Sequence, residues 1–195
     1  MKSHRQIRSM LVFAMLGALM FVGKQVFEAF PNFHPIGMLL MTFTVVYRTK
    51  ALIPLYVFIL IEGAYAGFNV WWYPYLYIWL PLWGMTMLLP RRLILWTPSG
   101  DGGGDEGKKT KARSAARRVL PLVLCSAVCS LHGLMYGTLY APFQMLMFHY
   151  DLATTLKWIA VGFRWDLIHA AGNAVMGLLV PQLARVLAKL EQRGA

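Results

Sequence analysis

The sequence predicts an all-α integral membrane protein with six transmembrane helices and both termini in the cytoplasm, and three observations carry that prediction. Of its 195 residues, 58% are hydrophobic and only 14% charged, a balance that a water-soluble domain does not keep. Apolar runs separated by short polar or turn-like breaks recur near 9–28, 34–47, 51–68, 71–90, 118–140 and 165–184. Crossing a hydrocarbon core of ~30 Å takes about 20 helical residues, and six such spans use most of the chain. Of the 19 Lys and Arg, all but Lys24, Lys157 and Arg164 fall before the first run, between the second and third, between the fourth and fifth, or after the sixth. The positive-inside rule assigns those connections to the cytoplasm. The net charge of +11 therefore reports orientation in a cell membrane and not a nucleic-acid partner.

Each element follows from its residues. The first run lacks a small-residue cleavage site followed by a polar mature protein, so it reads as a retained span. It carries Ala14, Gly17 and Ala18, a small-xxx-small face that admits another helix to backbone contact, either within this bundle or from a separate subunit. The second run is short. The third contains Glu62, which 1.5 Å per residue puts ~18 Å from its cytoplasmic start, in the outer half. The fourth contains Pro74 and Pro81, and Trp72, Tyr75, Trp79 and Trp83 share one of its faces.

Residues 91–117 form a basic, Gly-rich cytoplasmic linker between the four helices of 1–90 and the two of 118–195. Its DGGGDEGKK is no phosphate loop, because no strand precedes it and the Gly-Lys-Ser/Thr ending is missing. The fifth run places His132, Tyr136 and Tyr140 at i, i+4 and i+8, and the sixth places Asp166, His169 and Asn173 at i, i+3 and i+7, one face each. Between them, 141–164 has its own apolar period (Phe143, Met147, Leu152, Leu156, Ile159), which suits an external interfacial or re-entrant helix.

Polar side chains within spans are costly, and each alone reads as an interhelical hydrogen bond. His132, Asp166, His169 and Asn173 share the outer half, and that common depth points to a binding site. With Tyr136 opposite them and Trp72, Tyr75 and Trp79 beside them, they suit a small planar molecule, uncharged or singly charged. Lys157 and Arg164 could meet an acidic group, although snorkelling to the interface explains them equally. Cys125, Cys129 and His132 fall at i, i+4 and i+7, but three ligands on one helical face do not surround a tetrahedral ion. No metal or cofactor is expected.

Four stretches together resemble the substrate-binding S components of energy-coupling factor (ECF) vitamin transporters. They are Ala14-Met-Leu-Gly-Ala18, Phe30-Pro-Asn-Phe-His-Pro-Ile-Gly37, Lys50-Ala-Leu-Ile-Pro-Leu-Tyr56 running on to Glu62-Gly63, and Asp166-Leu-Ile-His-Ala-Ala-Gly-Asn173. The resemblance implies an S-component-like bundle in which Ala14 and Ala18 dock on a transmembrane coupling subunit. Two cytoplasmic ATPases would supply the energy that topples the chain in the membrane, so the chain itself would be no enzyme. It also implies an external pocket for a vitamin or vitamin-like precursor, formed by the fourth to sixth helices.

Two other classes compete. His169-Ala-Ala-Gly-Asn173 also resembles the HxxxN element of CAAX-type membrane proteases, but the paired Glu-Glu of those enzymes is missing. A structural membrane protein without substrate is the third reading.

Overall fold

The computed structural model describes residues 2–30, 33–96 and 108–193, with side chains from 6–30, 33–96 and 115–193. Among these residues the chain is entirely helical, without a strand. Three helical stretches are long and apolar enough to cross a membrane: Gln6–Val26, Ile36–Ala66 and Ala115–Met147. A fourth joins them if Leu152–Gly177 and Val180–Arg193, bent by 46°, are taken as one. Outward-facing Met15, Leu60, Val161 and Val175 give these helices a surface suited to hydrocarbon. The chain is an all-α protein with the apolar helices of a membrane protein.

Helix α1 (Lys2–Val26) packs on α3 (Leu52–Ala66), and Gly17 makes the approach possible. A Cβ at Gly17 would lie 2.5 Å from Val57 Cγ1 and 2.9 Å from the Pro54 carbonyl oxygen. Further along, Lys24 Nζ lies 2.7 Å from Glu62 Oε2, so α1 and α3 run parallel. Helix α2 (Ile36–Tyr47) runs the other way: Pro35 abuts Gly23, and the Tyr47 ring lies 5.1 Å from Phe13. The expected second and third runs thus occupy one continuous apolar stretch that reverses at Arg48. This residue has φ 58°, a conformation disfavoured for any side chain with a Cβ. Its guanidinium donates to the Met87 carbonyl at 2.9 Å, and its own carbonyl accepts from Trp83 Nε1 at 3.4 Å.

The expected fourth run is broken. After turns at 71–74 come α4 (Tyr75–Ile78), α5 (Leu80–Leu88) and α6 (Arg91–Ile94). Pro81 has no N–H for the Tyr77 carbonyl four residues back, and Pro90 stops α5 for the same reason. Helix α7 (Lys108–Leu134) continues after Met135 into α8 (Tyr136–Met147). Helix α9 (Leu152–Gly177) lies antiparallel to both, as Gly137 bonds Asp166 and Gly177 abuts Ser126.

The sixth run differs from its expected limits of 165–184. Helix α9 starts at Leu152, where Asp151 Oδ1 accepts the Thr154 N–H at 2.7 Å. The Thr154 side chain, together with this N–H, holds the Asp151 carboxyl below its usual range. Stretch 141–164 is therefore the end of α8, a turn at 148–151 and the first half of α9, in place of a separate helix. Helix α9 bends into α10 (Val180–Arg193) because Pro181 cannot donate to the Gly177 carbonyl.

These pairings gather Lys24, His34 and Glu62 at one end of the bundle. At the opposite end, Arg91 and Arg185 donate to the Val46 and Trp96 carbonyls, both at 3.2 Å. There Arg117 also sits 5.9 Å from the Trp96 ring centroid. Pro31 and Asn32, and linker residues 97–107, lie outside the described residues.

Candidate functional site

The helices converge on Trp79, which is completely buried between α4 and α5. The His132 ring from α7 stacks on it at 5.4 Å and 30°. Tyr75 and Tyr136 meet it edge-on at 5.9 and 6.1 Å. Tyr136 in turn reaches the His169 ring of α9 at 4.6 Å. His34, just before α2, closes the group, 4.9 Å from His169 and 6.1 Å from Trp79. Asn173, one turn beyond His169, lies near α2, its Nδ2 within van der Waals reach of a Cβ position at Gly37, 3.8 Å away.

Hydrogen-bond accounting singles out this group. His34 Nδ1, Trp79 Nε1, His132 Nδ1, Asp166 Oδ2, His169 Nε2 and Asn173 Nδ2 are all buried, and none has a partner among the described residues. Buried polar atoms in folded proteins are nearly always paired, so six orphans around one ring system need an explanation. Other polar atoms here are engaged: His132 Nε2 with the Ile78 carbonyl at 2.8 Å, and Asp166 Oδ1 with the Gly137 N–H at 3.0 Å.

A cavity of about 170 Å³ adjoins the group at His34 and is also lined by Lys24, Gln25, Phe27, Glu28 and Phe33. The charge at this mouth is balanced by the ion pair of Lys24 with the fully buried Glu62, and Lys24 also lies 5.8 Å from the Trp71 ring centroid.

Of the residues expected from sequence, the structure joins Tyr75, Trp79, His132, Tyr136, His169 and Asn173, with Asp166 one helical turn away beside Gly137. Trp72 stands apart. Its indole N–H donates to the Ile59 carbonyl at 2.8 Å and its ring packs on Phe68, which makes it a link between α3 and α4. Lys157 and Arg164 are exposed on α9, the latter 5.3 Å from the Trp165 ring centroid. Ala14 and Ala18 are exposed while Gly17 between them is buried on α3. Ala14 borders an outward groove of about 380 Å³ together with Met10, Lys50, Ile53 and Val57.

His34 belongs to the Phe30–Gly37 stretch, but no helical spacing in the sequence ties it to the other site residues. The available signal is a histidine just ahead of Pro35 at the start of an apolar run. Gly133 and Gly137 bring α9 close, and their spacing of four is the small-residue signature of close helix contact. Cys125 and Cys129 are buried free thiols within the core. Among the described residues no set of three His, Cys, Asp or Glu side chains is arranged to hold a metal ion. The arrangement gathers aromatic rings and unpaired hydrogen-bonding atoms in one buried group.

No protein-family model, curated protein or solved structure matches this chain.

Proposed function

We propose that this chain is the substrate-binding S component of an ECF-type importer in a prokaryotic cell membrane, taking up a small vitamin or vitamin-like precursor. The observation that carries the proposal is the set of six buried, unpartnered polar atoms on and beside the aromatic group of Trp79, which a cavity adjoins at His34. A ligand that pairs these atoms recovers what their desolvation costs, about 1–3 kcal/mol for each unsatisfied group. In this reading the chain crosses the membrane six times with both termini cytoplasmic, and the bent or broken helices count as spans. The test is mass spectrometry of small molecules released when the purified protein is denatured. Release of nothing but lipid and detergent counts against the proposal.

The docking role rests on the exposed Ala14 and Ala18 and the groove beside them. The partners are a transmembrane coupling subunit and two cytoplasmic ATPases, since ATP hydrolysis would lie outside this chain. Replacing Ala14 and Ala18 together with Trp is expected to reduce co-purification of the coupling subunit at least tenfold without moving the melting temperature. Undiminished association removes the docking role.

Orientation is tested separately. A cysteine at Gly103, in the linker, is expected to react with a membrane-impermeant thiol reagent only in inverted vesicles. Labelling in intact cells reverses the topology.

A further inference from the structure

The six unpartnered atoms differ in what each can exchange with a ligand. His132 Nε2 faces the Ile78 carbonyl, which only accepts, so that nitrogen carries the proton. In the neutral imidazole the bare lone pair is then on Nδ1. Asp166 Oδ1 is taken by the Gly137 N–H, and Oδ2, an acceptor in the carboxylate, is the free oxygen. Trp79 Nε1 and Asn173 Nδ2 are donors and nothing else. His34 Nδ1 and His169 Nε2 take either role according to tautomer. Two obligate donors and two acceptors thus lie on side chains no more than 5% exposed, Asp166 one helical turn from the others. No ammonium or guanidinium is among them, and Lys24 at the mouth is neutralised by Glu62.

Building on the substrate-binding reading above, we infer that the ligand is a neutral, flat nitrogen heteroaromatic whose edge presents donors and acceptors together, as a lactam or an amino-substituted azine does. The stacked Trp79 and His132 rings and the crossing Tyr136 supply faces for a flat ring. Trp79 Nε1 and Asn173 Nδ2 bond a ring nitrogen or carbonyl oxygen, while His132 Nδ1 and Asp166 Oδ2 bond N–H groups. An anionic ligand meets no counter-charge and adds to the charge of Asp166, and burying it unpaired is costly. A cationic one finds a counter-charge only in Asp166, and its N–H groups leave Trp79 Nε1 and Asn173 Nδ2 without an acceptor.

The experiment uses the full chain, washed free of co-purified molecules in detergent, with adenine, cytosine and hypoxanthine as neutral probes. Benzoate, benzylamine and toluene serve as the anionic, cationic and apolar flat counterparts. Equilibrium dialysis is expected to show saturable binding of at least one neutral heteroaromatic and at least tenfold weaker binding of the other three. Trp79→Phe keeps a ring and removes the donor, and should weaken the bound probe at least tenfold. Asn173→Leu provides the same comparison at the second donor should Trp79→Phe not fold.

Binding of none of the neutral probes overturns the inference, and so does equal binding of benzoate, benzylamine or toluene, or unchanged affinity in both variants. The molecule released from the unwashed protein separates the two levels. A charged molecule whose binding is lost in His169→Phe refutes the ligand class and leaves the site standing. A molecule bound equally by wild type and His169→Phe refutes the site itself.

Discussion

Gly133→Leu is expected to leave no monodisperse folded protein after extraction, whereas Gly162→Leu should behave as wild type. A Cβ at Gly133 would stand 2.9 Å from both Cα and N of Ala170 and 2.9 Å from Asn173 Nδ2. Two of these neighbours are backbone atoms of α9, which cannot rotate out of the way. Overpacking a core side chain already costs about 1–3 kcal/mol when rotamers can adjust, and here the helices themselves have to part. Gly177, at the other end of the same crossing, is equally confined, with a Cβ 2.7 Å from Ser126 Cα and 2.8 Å from the Cys125 carbonyl oxygen. Gly162 lies on the same helix as Gly177 with nothing within 4 Å of its Cβ position, so it controls for helix propensity and expression. Size-exclusion profiles and melting curves in detergent decide the matter. A Gly133→Leu protein that melts with wild type means that α7 and α9 do not pack as described.

His169→Phe should make the protein more stable without ligand and poorer at holding one. The His169 ring packs against Tyr136 and His34, contacts that a phenyl ring keeps. Its Nε2 is buried without a partner among the described residues, and removing such an atom relieves a desolvation cost of about 1–3 kcal/mol. The same substitution deletes one hydrogen bond to a ligand, and each ~1.4 kcal/mol lost weakens binding tenfold. The melting temperature is therefore expected to rise while affinity for the co-purified molecule falls by about tenfold or more. Asp166→Asn should act differently. It turns a carboxylate that accepts from Gly137 into an amide that also donates, so preference among analogues changes before affinity disappears. A wild-type melting temperature, affinity and preference in both variants would remove Asp166 and His169 from the site.

Much of this arrangement is written in local pattern. The apolar runs predict a helical chain, and helices cover most of the described residues. The i, i+3, i+7 spacing puts Asp166, His169 and Asn173 on one face, and His132 and Tyr136 fall one turn apart on theirs. Those spacings follow from helix geometry alone, which is why six of the eight expected ligand-facing residues come together around Trp79 and Asp166 lies a turn away. Trp72 fails the same logic. It precedes the first residue of α4, within turns, where the 3.6-residue period does not apply, and its N–H finds the Ile59 carbonyl.

What only the tertiary structure decided concerns partners far apart in the chain. Nothing local to His34 announces that it will meet His169, 135 positions on, or that Lys24 will neutralise Glu62. Those meetings depend on how α1, α2 and α9 stack, which is set by missing Cβ atoms at Gly17, Gly23 and Gly133 and by the reversal at Arg48. Hydropathy likewise registers where a chain is apolar and not where it bends. The break at Trp79, the 46° turn between α9 and α10 and the early start of α9 come from single backbone groups, the absent N–H of Pro81 and Pro181 and the cap of Asp151. By itself the sequence determined that this chain is helical and apolar, and which residues share each helical face. The packing of those faces, a matter of steric fit between distant segments, decided which polar atoms are left unpaired.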